Sequence, residues 1–303
     1  MSGANMSNDY FTNRQDRYIV FNNKDITDYY RDLVSTVSGF SYTLQDKGDA
    51  FDLSVGSGVP DPVHQSNQFK VHAAKAMRGF LEKWSSTQQS PKDATHDTTL
   101  YPLIQMGPFG LRQDEQVTLS VLERVLHSPQ QRSPAKLFIT SGYFNFEKRY
   151  SQTIVNTATA DANGFFNSAG ISKYLPPAYT HIEQRFFNDA KRAGNAERIK
   201  IEEYQRKGWT YHAKGLWVYP PDSNLPVLTT IGSPNFGYRS IVRDLEAQLF
   251  LVTSNTQLRQ NLHEELHNLR VHVQPVTEET FNAPERQVPA WVGGASRAIR
   301  TML

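Results

Sequence analysis

Apolar residues recur every three to four positions in five parts of the chain, and this spacing predicts amphipathic helices. The predicted helices cover residues 26–37, 67–84, 114–126, 180–193 and 256–269. Short runs rich in β-branched and aromatic residues lie between them and predict strands. The predicted strands cover residues 17–22, 136–143, 209–219, 226–231 and 247–252. Strands that alternate with helices in this way indicate an α/β fold.

Two polar stretches interrupt this pattern. Residues 39–66 are rich in Gly, Ser, Pro and Asp and predict a loop or weak strand, whereas residues 85–99 predict a polar surface loop. The polar residues from Asn23 to Asp25 come directly before the first helical stripe. Because their side chains can accept hydrogen bonds from free backbone N–H groups, they predict the start of that helix.

The composition is that of a folded protein and excludes several classes. Hydrophobic residues make up 38% and aromatic residues 12% of 303 residues, enough for one large domain or two ordinary ones. No apolar run approaches the ~18 residues needed to cross a bilayer. The net charge of +2 comes without the basic stripe of a nucleic-acid-binding protein. With no cysteine, the chain forms no disulfide and no Cys-ligated zinc site.

An internal repeat relates the two ends of the chain at a constant offset of 230 residues. Residues 1–5 (Met-Ser-Gly-Ala-Asn) align with residues 231–235 (Ile-Gly-Ser-Pro-Asn), and Asp16 aligns with Glu246. Each copy therefore has small residues, an Asn, an acidic residue, a predicted strand and a capped helix in the same order. Such a repeat predicts two structurally related halves. The expected halves are residues 1–126 and 135–303.

The second copy carries residues suited to phosphate chemistry. His212 and Lys214 are two apart on a predicted strand, so both side chains are expected on one face. An imidazole can attack phosphorus or carry a proton near neutral pH, and an ammonium group neutralises phosphoryl oxygens. Ser233 and Asn235, in a Gly-Ser-Pro-Asn turn, add neutral donors. Glu246 is expected to orient an imidazole and to hold its tautomer.

Each of these features also has an ordinary structural explanation. A His-x-Lys pattern is common, Gly-Ser-Pro-Asn is a frequent turn, and an acidic residue such as Glu246 is often a surface group. Their combination at these spacings, with Asn and an acid repeated in the first copy, favours the catalytic interpretation. His263 and His267 lie four apart on a predicted helix. Since no third ligand is in reach, they are interpreted as surface residues and not as a metal pair.

The arrangement His212-x-Lys214 followed by Gly232-Ser233-x-Asn235 resembles the HxK…GSxN motif of the phospholipase D superfamily. Further segments resemble one group in that superfamily, the mitochondrial phosphatidylglycerophosphate synthases of eukaryotes. These segments are residues 2–5, 10–18, 161–166, 211–217, 232–240 and 243–248. The resemblance therefore covers nearly the whole chain and is weakest at residues 40–100.

The resemblance implies a phospholipase D-like fold made of two α/β/α layered halves with mixed sheets. It implies an enzyme that transfers a phosphatidyl group from CDP-diacylglycerol to the 1-hydroxyl of sn-glycerol 3-phosphate. CMP would leave, and a phosphohistidine would be the intermediate. The implied catalytic residues are His212, Lys214, Asn235 and Glu246, with Ser233 and Asn5 on the substrate phosphate and Asp16 in support.

The same resemblance implies that neither a metal nor a cofactor takes part, because two Lys and two Asn neutralise the phosphoryl oxygens. It also implies a mitochondrial location, at the matrix face of the inner membrane. A lipid substrate further implies peripheral contact with a membrane surface, and no nucleic-acid partner is expected.

The chain departs from the superfamily pattern in two places. Tyr219 stands five residues after Lys214, where the superfamily often has an acidic residue. The offset of 230 puts the first His-x-Lys ahead of residue 1, so the chain is expected to begin inside the first motif, with a truncated N-terminal half. In two-motif relatives the first histidine is usually the nucleophile, which favours general acid/base chemistry for His212.

Several other functions remain open at this point. The chain could be another phospholipid synthase of the superfamily, such as a cardiolipin or phosphatidylserine synthase, although the flanking segments argue against it. It could also be a non-catalytic lipid-binding or regulatory fragment. A homodimer could bring two copies of His212 together, although residues 1–126 would obstruct it. A nuclease is disfavoured by the near-neutral charge.

Overall fold

A computed structural model describes residues 1–46, 51–87, 96–126, 135–142, 144–157, 160–165 and 175–288. The chain forms two compact units. The larger unit consists of residues 1–19, 97–107 and 112–303, and the smaller one of residues 20–96 and 108–111. This partition differs from a cut at residues 127–134, which lie outside the described residues. The assignment of residues 1–126 and 135–303 to related halves stays a prediction.

The helices and strands are numbered in chain order. The α-helices are α1 (Asp9–Thr12), α2 (Lys24–Ser38), α3 (Ser66–Thr87), α4 (Gln113–Leu126), α5 (Lys148–Thr157), α6 (Leu175–Arg192), α7 (Tyr238–Val242), α8 (Thr256–Leu269) and α9 (Glu278–Asn282). The strands are β1 (Arg14–Gln15), β2 (Thr43–Asp46), β3 (Phe51–Ser54), β4 (Thr98–Met106), β5 (Leu111–Arg112), β6 (Lys136–Thr140), β7 (Ala160–Phe165), β8 (Ile199–Tyr204), β9 (Thr210–Tyr211), β10 (Gly215–Tyr219), β11 (Leu228–Gly232), β12 (Leu245–Thr253) and β13 (Val273–Pro275).

A mixed sheet forms the centre of the larger unit. Its strands there follow the order β13-β8-β7-β6-β10-β11-β12-β4. The β6–β7 and β7–β8 pairs are parallel, whereas β10 runs antiparallel to both β6 and β11, and β12 runs antiparallel to β11 and β4. Strand β10 is central in this sheet, and every one of its residues is buried. Both faces of the sheet must therefore be covered.

The two faces of β10 pack into two different cores. Leu216 and Val218 belong to a large apolar cluster that includes residues of α4, α5 and α6. Trp217 and Tyr219, which alternate with them, belong to a second cluster that includes residues of α8. Since side chains alternate across a strand, this single sequence of apolar residues holds helices on both faces. The larger unit is thus an α/β/α sandwich with a mixed sheet, which confirms the predicted fold class.

The smaller unit is organised around aromatic contacts. In α2 the ring of Tyr29 lies 5.0 Å from that of Phe80 and 5.3 Å from that of Trp84, both in α3. Helix α2 begins as the sequence predicts, because the Asn23 side chain accepts a hydrogen bond from the Ile26 N–H. Strands β2 and β3 form an antiparallel hairpin in the segment predicted as loop or weak strand.

All five predicted helices are present, as α2, α3, α4, α6 and α8, and the two strands predicted near residues 226–231 and 247–252 are β11 and β12. Three other predictions are wrong in detail. Residues 17–22 form no strand beyond a single bridge at Tyr18, and the strand predicted at 136–143 ends at Thr140. The strand predicted at 209–219 is interrupted, because residues 212–214 separate β9 from β10. Strands β4, β7 and β8 and helix α5 had not been predicted.

The repeat found in the sequence has a counterpart in the backbone. A bridge pairs Ser2 with Tyr18, and the same antiparallel pairing joins Gly232 to Gln248, 230 residues later. At the same offset of 230 residues, the short helix α1 aligns in sequence with α7. The two copies therefore share a strand-like segment, a helical turn and a returning segment. This agreement supports the interpretation of the two ends as related structures.

The first segment is anchored in the larger unit by Arg17, whose side chain is 1% exposed. Its guanidinium group donates to both carboxylate oxygens of Glu265, at 3.0 and 2.7 Å, and to backbone carbonyls of Lys214 and Thr230. The group also lies 4.1 Å from the ring centroid of Trp217. It therefore joins residues 1–19 to β10, β11 and α8 at once.

We expect Arg17→Met to lower the free energy of unfolding by about 3 kcal/mol, because it leaves the Glu265 carboxylate and buried carbonyls without their donor. Arg192→Met, which removes an exposed guanidinium, is the matched control and is expected to change stability by less than about 0.5 kcal/mol. Urea unfolding followed by circular dichroism measures both. Equal midpoints for the two variants would contradict the anchoring role of Arg17.

Candidate phosphoryl-transfer site

The backbone around His212 is held by the first segment of the chain. Strand β1 pairs in parallel with β9, with Gln15 opposite Tyr211. The His212 N–H then donates to the Gln15 carbonyl oxygen at 2.8 Å. His212 thus follows the last paired residue of β9. This contact between the two copies of the repeat, remote in sequence, places Asp16 beside the imidazole.

Both ring nitrogens of His212 have partners from residues 1–19. Its Nδ1 atom lies 2.9 Å from Asp16 Oδ2, and its Nε2 atom lies 3.2 Å from the hydroxyl oxygen of Tyr10. The Asp16 side chain is completely buried, and its other oxygen accepts the Arg17 N–H at 2.8 Å. Because a carboxylate accepts a hydrogen bond from Nδ1–H, Asp16 favours the tautomer with the proton on Nδ1 and the lone pair on Nε2.

Lys214 lies against the same imidazole. Its Nζ atom is 2.7 Å from Nδ1 and 2.8 Å from Nε2 of His212, and it donates to the His212 carbonyl oxygen at 2.7 Å. An in-plane position equally close to both nitrogens would collide with Cε1, so the ammonium group lies over the face of the ring. The two side chains meet as predicted, although residues 212–214 form a link between strands and not part of one.

Ser233 and Asn235 follow β11 on the turn predicted for them. The Ser233 N–H donates to the Ala247 carbonyl oxygen at 3.2 Å, which fixes the turn against β12. The Asn235 N–H donates to the Ser240 hydroxyl at 3.1 Å, while its side-chain oxygen accepts from the Ser141 hydroxyl at 3.2 Å. The amide group of Asn235 therefore has a defined orientation.

Two glycines, Gly3 and Gly142, permit these close approaches. A Cβ atom on Gly3 would lie 2.6 Å from the Gly232 carbonyl oxygen and 2.9 Å from Lys214 Cδ. A Cβ atom on Gly142 would lie 3.2 Å from His212 Cδ2 and 3.6 Å from the side-chain oxygen of Asn235. The repeated small residues of the sequence are thus the points where the two copies meet.

Burial shapes the ionisation of the site. Desolvation lowers the pKa of His212, partly opposed by the hydrogen bond to Asp16, and the nearby Lys214 lowers it further. Desolvation also lowers the pKa of Lys214 to about 7, although Asp16 and Glu246 act in the opposite direction. Near neutral pH, a neutral imidazole with its lone pair on Nε2 therefore lies against an ammonium group that titrates in the same range.

Glu246 is not the acidic residue at Nδ1 of His212, and its expected task of orienting an imidazole stays a prediction. The carboxylate at Nδ1 of His212 belongs to Asp16, from the other copy of the repeat. Glu246 is buried, which raises its pKa, and hydrogen bonds with Ser233 and Ser240 partly oppose that effect.

Three further residues of the site were not predicted from the sequence, namely Tyr10, Ser141 and Gly142. Tyr10 could have been found from the repeat, since it lies five residues after Asn5 as Ser240 lies five residues after Asn235. Asn5 itself reaches the site through Tyr10, because its side-chain amide donates to the Tyr10 hydroxyl at 3.1 Å. Nothing in the local sequence marks Ser141 or Gly142.

The described part of the chain contains no cluster of three or more His, Asp or Glu side chains placed to hold a metal ion. The groups that the site does bring together are an oriented imidazole, a buried ammonium group, an amide and hydroxyl groups. This set can bind phosphoryl oxygens, attack phosphorus through Nε2, or exchange a proton with an oxygen at Nε2.

The pKa of Lys214 predicts how stability depends on pH. Between about 7 and its usual value of 10.5, the unfolded chain retains the Lys214 proton that the folded chain has lost. The contribution of Lys214 to the free energy of unfolding therefore rises with pH across that interval. Urea unfolding at pH 7, 8, 9 and 10 is expected to show a weaker rise for Lys214→Met than for the parent. Lys207→Met, at an exposed position, is expected to keep the parent slope. An unchanged slope in Lys214→Met would contradict the lowered pKa.

Comparison with known proteins places this site in context. No protein-family model matches the chain. The mitochondrial CDP-diacylglycerol–glycerol-3-phosphate 3-phosphatidyltransferase of Mus musculus is 39% identical over 320 residues, which cover 96% of the chain and 57% of the mouse protein. The CDP-diacylglycerol–glycerol-3-phosphate 3-phosphatidyltransferase of Saccharomyces pastorianus is 33% identical over 325 residues, or 99% of the chain and 62% of the yeast protein.

Among solved structures, phosphatidylserine synthase of Haemophilus influenzae Rd KW20 has a similar fold. The TM-score is 0.67 at 17% identity, over 100% of the chain and 68% of that structure. The chain spans little more than half the length of the curated relatives it matches. On this identity over nearly its whole length, the chain belongs to the family of the CDP-diacylglycerol–glycerol-3-phosphate 3-phosphatidyltransferases.

Proposed function

We propose that the protein containing this sequence transfers a phosphatidyl group from CDP-diacylglycerol to sn-glycerol 3-phosphate and releases CMP. The observation that carries the proposal is the His212 imidazole with Asp16 at Nδ1 and the Lys214 ammonium group over its face. Curated relatives at 33–39% identity bear the name of this activity. The site supplies what transfer of a phosphoryl group needs, namely a nucleophile or base and a cation for the phosphoryl oxygens.

Each residue has a defined task in this proposal. Asp16 holds the Nδ1 proton and stabilises the imidazolium that forms when Nε2 takes up a proton. Lys214, Asn235 and Ser233 bind the phosphoryl oxygens, whose negative charge increases in the transition state. We assign general acid/base chemistry to His212. Its Nε2 atom protonates the CMP leaving group and then accepts a proton from the attacking hydroxyl group.

A second histidine completes the proposed mechanism. Asp16 of the first copy serves His212 of the second, so the repeat predicts that Glu246 serves a histidine of the first copy. Glu246 is buried, and its negative charge lies close enough to Lys214 to raise the pKa of the lysine, which partly opposes the effect of burial. We place the matching His-x-Lys in the length that the relatives have beyond this chain. That histidine would form the phosphohistidine intermediate.

The substrate also points to a location. CDP-diacylglycerol is a membrane lipid, so the site must meet a membrane surface, and we propose peripheral contact with the mitochondrial inner membrane. Met6 and Phe11 are 98% and 75% exposed and directly follow the site residues Asn5 and Tyr10. Within the described residues, no helix has the length and apolar character needed to span a bilayer.

Release of CMP from CDP-diacylglycerol by the full-length protein tests the function. We expect turnover that requires glycerol 3-phosphate, and a loss of roughly 10²–10⁴-fold in His212→Asn, which removes the proton-transferring group. His267→Asn, on the exposed face of α8, is the matched control and is expected to retain parent activity.

The acceptor distinguishes related activities in the same assay. Glycerol 3-phosphate, phosphatidylglycerol and L-serine are supplied in turn as the only acceptor. Turnover with L-serine alone would replace the proposed reaction with phosphatidylserine synthesis, and turnover with phosphatidylglycerol alone would indicate cardiolipin synthesis. If the full-length protein binds CDP-diacylglycerol and releases no CMP with any acceptor, a lipid-binding function replaces the enzymatic one.

A further inference from the structure

Tyr10 makes a contact with the reactive nitrogen of His212 that the proposed mechanism does not use. Its hydroxyl oxygen lies 3.2 Å from Nε2, and the two rings meet edge to face with centroids 5.0 Å apart. We propose that Tyr10 is a catalytic residue whose hydroxyl group donates to the Nε2 lone pair of His212 when the imidazole is neutral, as it is once CMP has taken its proton, and yields that lone pair to the oxygen of the incoming alcohol. This inference rests on the proposed function.

The hydrogen bonds around Tyr10 define the direction of its proton. The side-chain amide of Asn5 donates to the Tyr10 hydroxyl oxygen at 3.1 Å, so that oxygen already acts as an acceptor there. Asp16 at Nδ1 leaves Nε2 with the lone pair, which needs a donor. The Tyr10 proton is therefore directed at Nε2, in an O–H···N hydrogen bond.

Lys214 does not replace Tyr10 as the donor to Nε2. Its ammonium group is nearly equidistant from both ring nitrogens and lies over the face of the imidazole. The lone pair of Nε2 lies in the ring plane, where hydrogen bonds form. Lys214 acts on the ring through its charge, whereas Tyr10 acts on the one atom that exchanges a proton.

Tyr10 is also held rigidly enough to occupy a defined position. The residue is 6% exposed, and the Arg14 guanidinium lies 4.7 Å from its ring centroid. Its backbone carbonyl oxygen accepts the Tyr18 hydroxyl at 3.2 Å. Because helix α1 carries Tyr10 between these contacts, the hydroxyl group is a fixed part of the site.

The geometry matches the chemistry of the acceptor. An attacking alcohol must present its O–H to Nε2 at hydrogen-bond distance before the base removes the proton. The Tyr10 hydroxyl has the same chemistry and the same place. Binding of the acceptor then exchanges one O–H···N hydrogen bond for another, and the released Tyr10 hydroxyl can donate to an oxygen of the bound phosphoryl group.

The pKa of His212 reports this contact. A donor at Nε2 stabilises the neutral imidazole, so loss of the Tyr10 hydroxyl raises the pKa of His212. The other ionisable groups that act on His212 are Asp16, which raises its pKa, and Lys214 and Arg14, which lower it. None of them is changed by Tyr10→Phe, which keeps the aromatic ring and its packing.

The first experiment measures the pKa of His212 by NMR titration of histidine-labelled protein. Tyr10→Phe is expected to raise it by about 0.5–1 unit, the equivalent of one neutral hydrogen bond. Tyr219→Phe is the matched control, because it removes a Tyr–His hydrogen bond of 3.0 Å to His263 at another place. It is expected to leave the pKa of His212 unchanged. An unchanged His212 pKa in folded Tyr10→Phe would overturn the proposal.

The second experiment follows kcat/KM for glycerol 3-phosphate, the substrate towards which His212 acts as a base, against pH in the full-length protein. If His212 is the base, the acid limb of the profile moves to higher pH in Tyr10→Phe, by the shift found in the titration, and stays in place in Tyr219→Phe. A raised pKa with an unmoved acid limb would reduce Tyr10 to a structural residue and overturn its catalytic role. A raised pKa in a protein that releases no CMP would overturn the proposed function while supporting the contact of Tyr10 with Nε2.

Discussion

The site depends on one interaction, the ion pair between the buried guanidinium of Arg17 and the carboxylate of Glu265. The guanidinium contacts Trp217 of β10 and Thr230 of β11, and Glu265 of α8 neutralises its charge. Position 215 requires a glycine, because a Cβ atom there would overlap the Arg17 guanidinium. One residue earlier, the Asp16 carboxylate accepts a hydrogen bond from the Arg17 backbone N–H and forms another with Nδ1 of His212. The position of the Asp16–His212 pair therefore follows from where Arg17 is anchored.

The site contains two ionisable side chains whose charged forms are disfavoured by burial. Lys214 and Glu246 are both buried, and desolvation moves the pKa of each towards its neutral form. Their mutual attraction and the hydrogen bonds of Ser233 and Ser240 only partly compensate. Burial of these two charged groups lowers the stability of the fold. In the proposed reaction it has an advantage, because a cation with little water around it interacts strongly with the negative charge that forms in the transition state.

The sequence predicted what depends on local pattern. Apolar periodicity located α2, α3, α4, α6 and α8, and the motif brought His212, Lys214 and Asn235 to one place. What it missed depends on contacts remote in sequence. The pairing of β1 with β9 brings Asp16, which was expected only in a supporting role, to Nδ1 of His212. Strand β4, whose partner is β12, lies more than a hundred residues away in sequence, so no local pattern could reveal their pairing.

The repeat is symmetric in backbone but not in side chains, and this difference bears on mechanism. The first copy offers Asp16 and the Tyr10 hydroxyl to His212, whereas the corresponding positions of the second copy hold Glu246 and Ser240. In the proposed enzyme, a histidine served by Glu246 would have no phenol at its reactive nitrogen. Its lone pair would be open to phosphorus, whereas that of His212 is already engaged with a hydroxyl group. Different environments for two like groups are how one site obtains both a nucleophile and an acid/base.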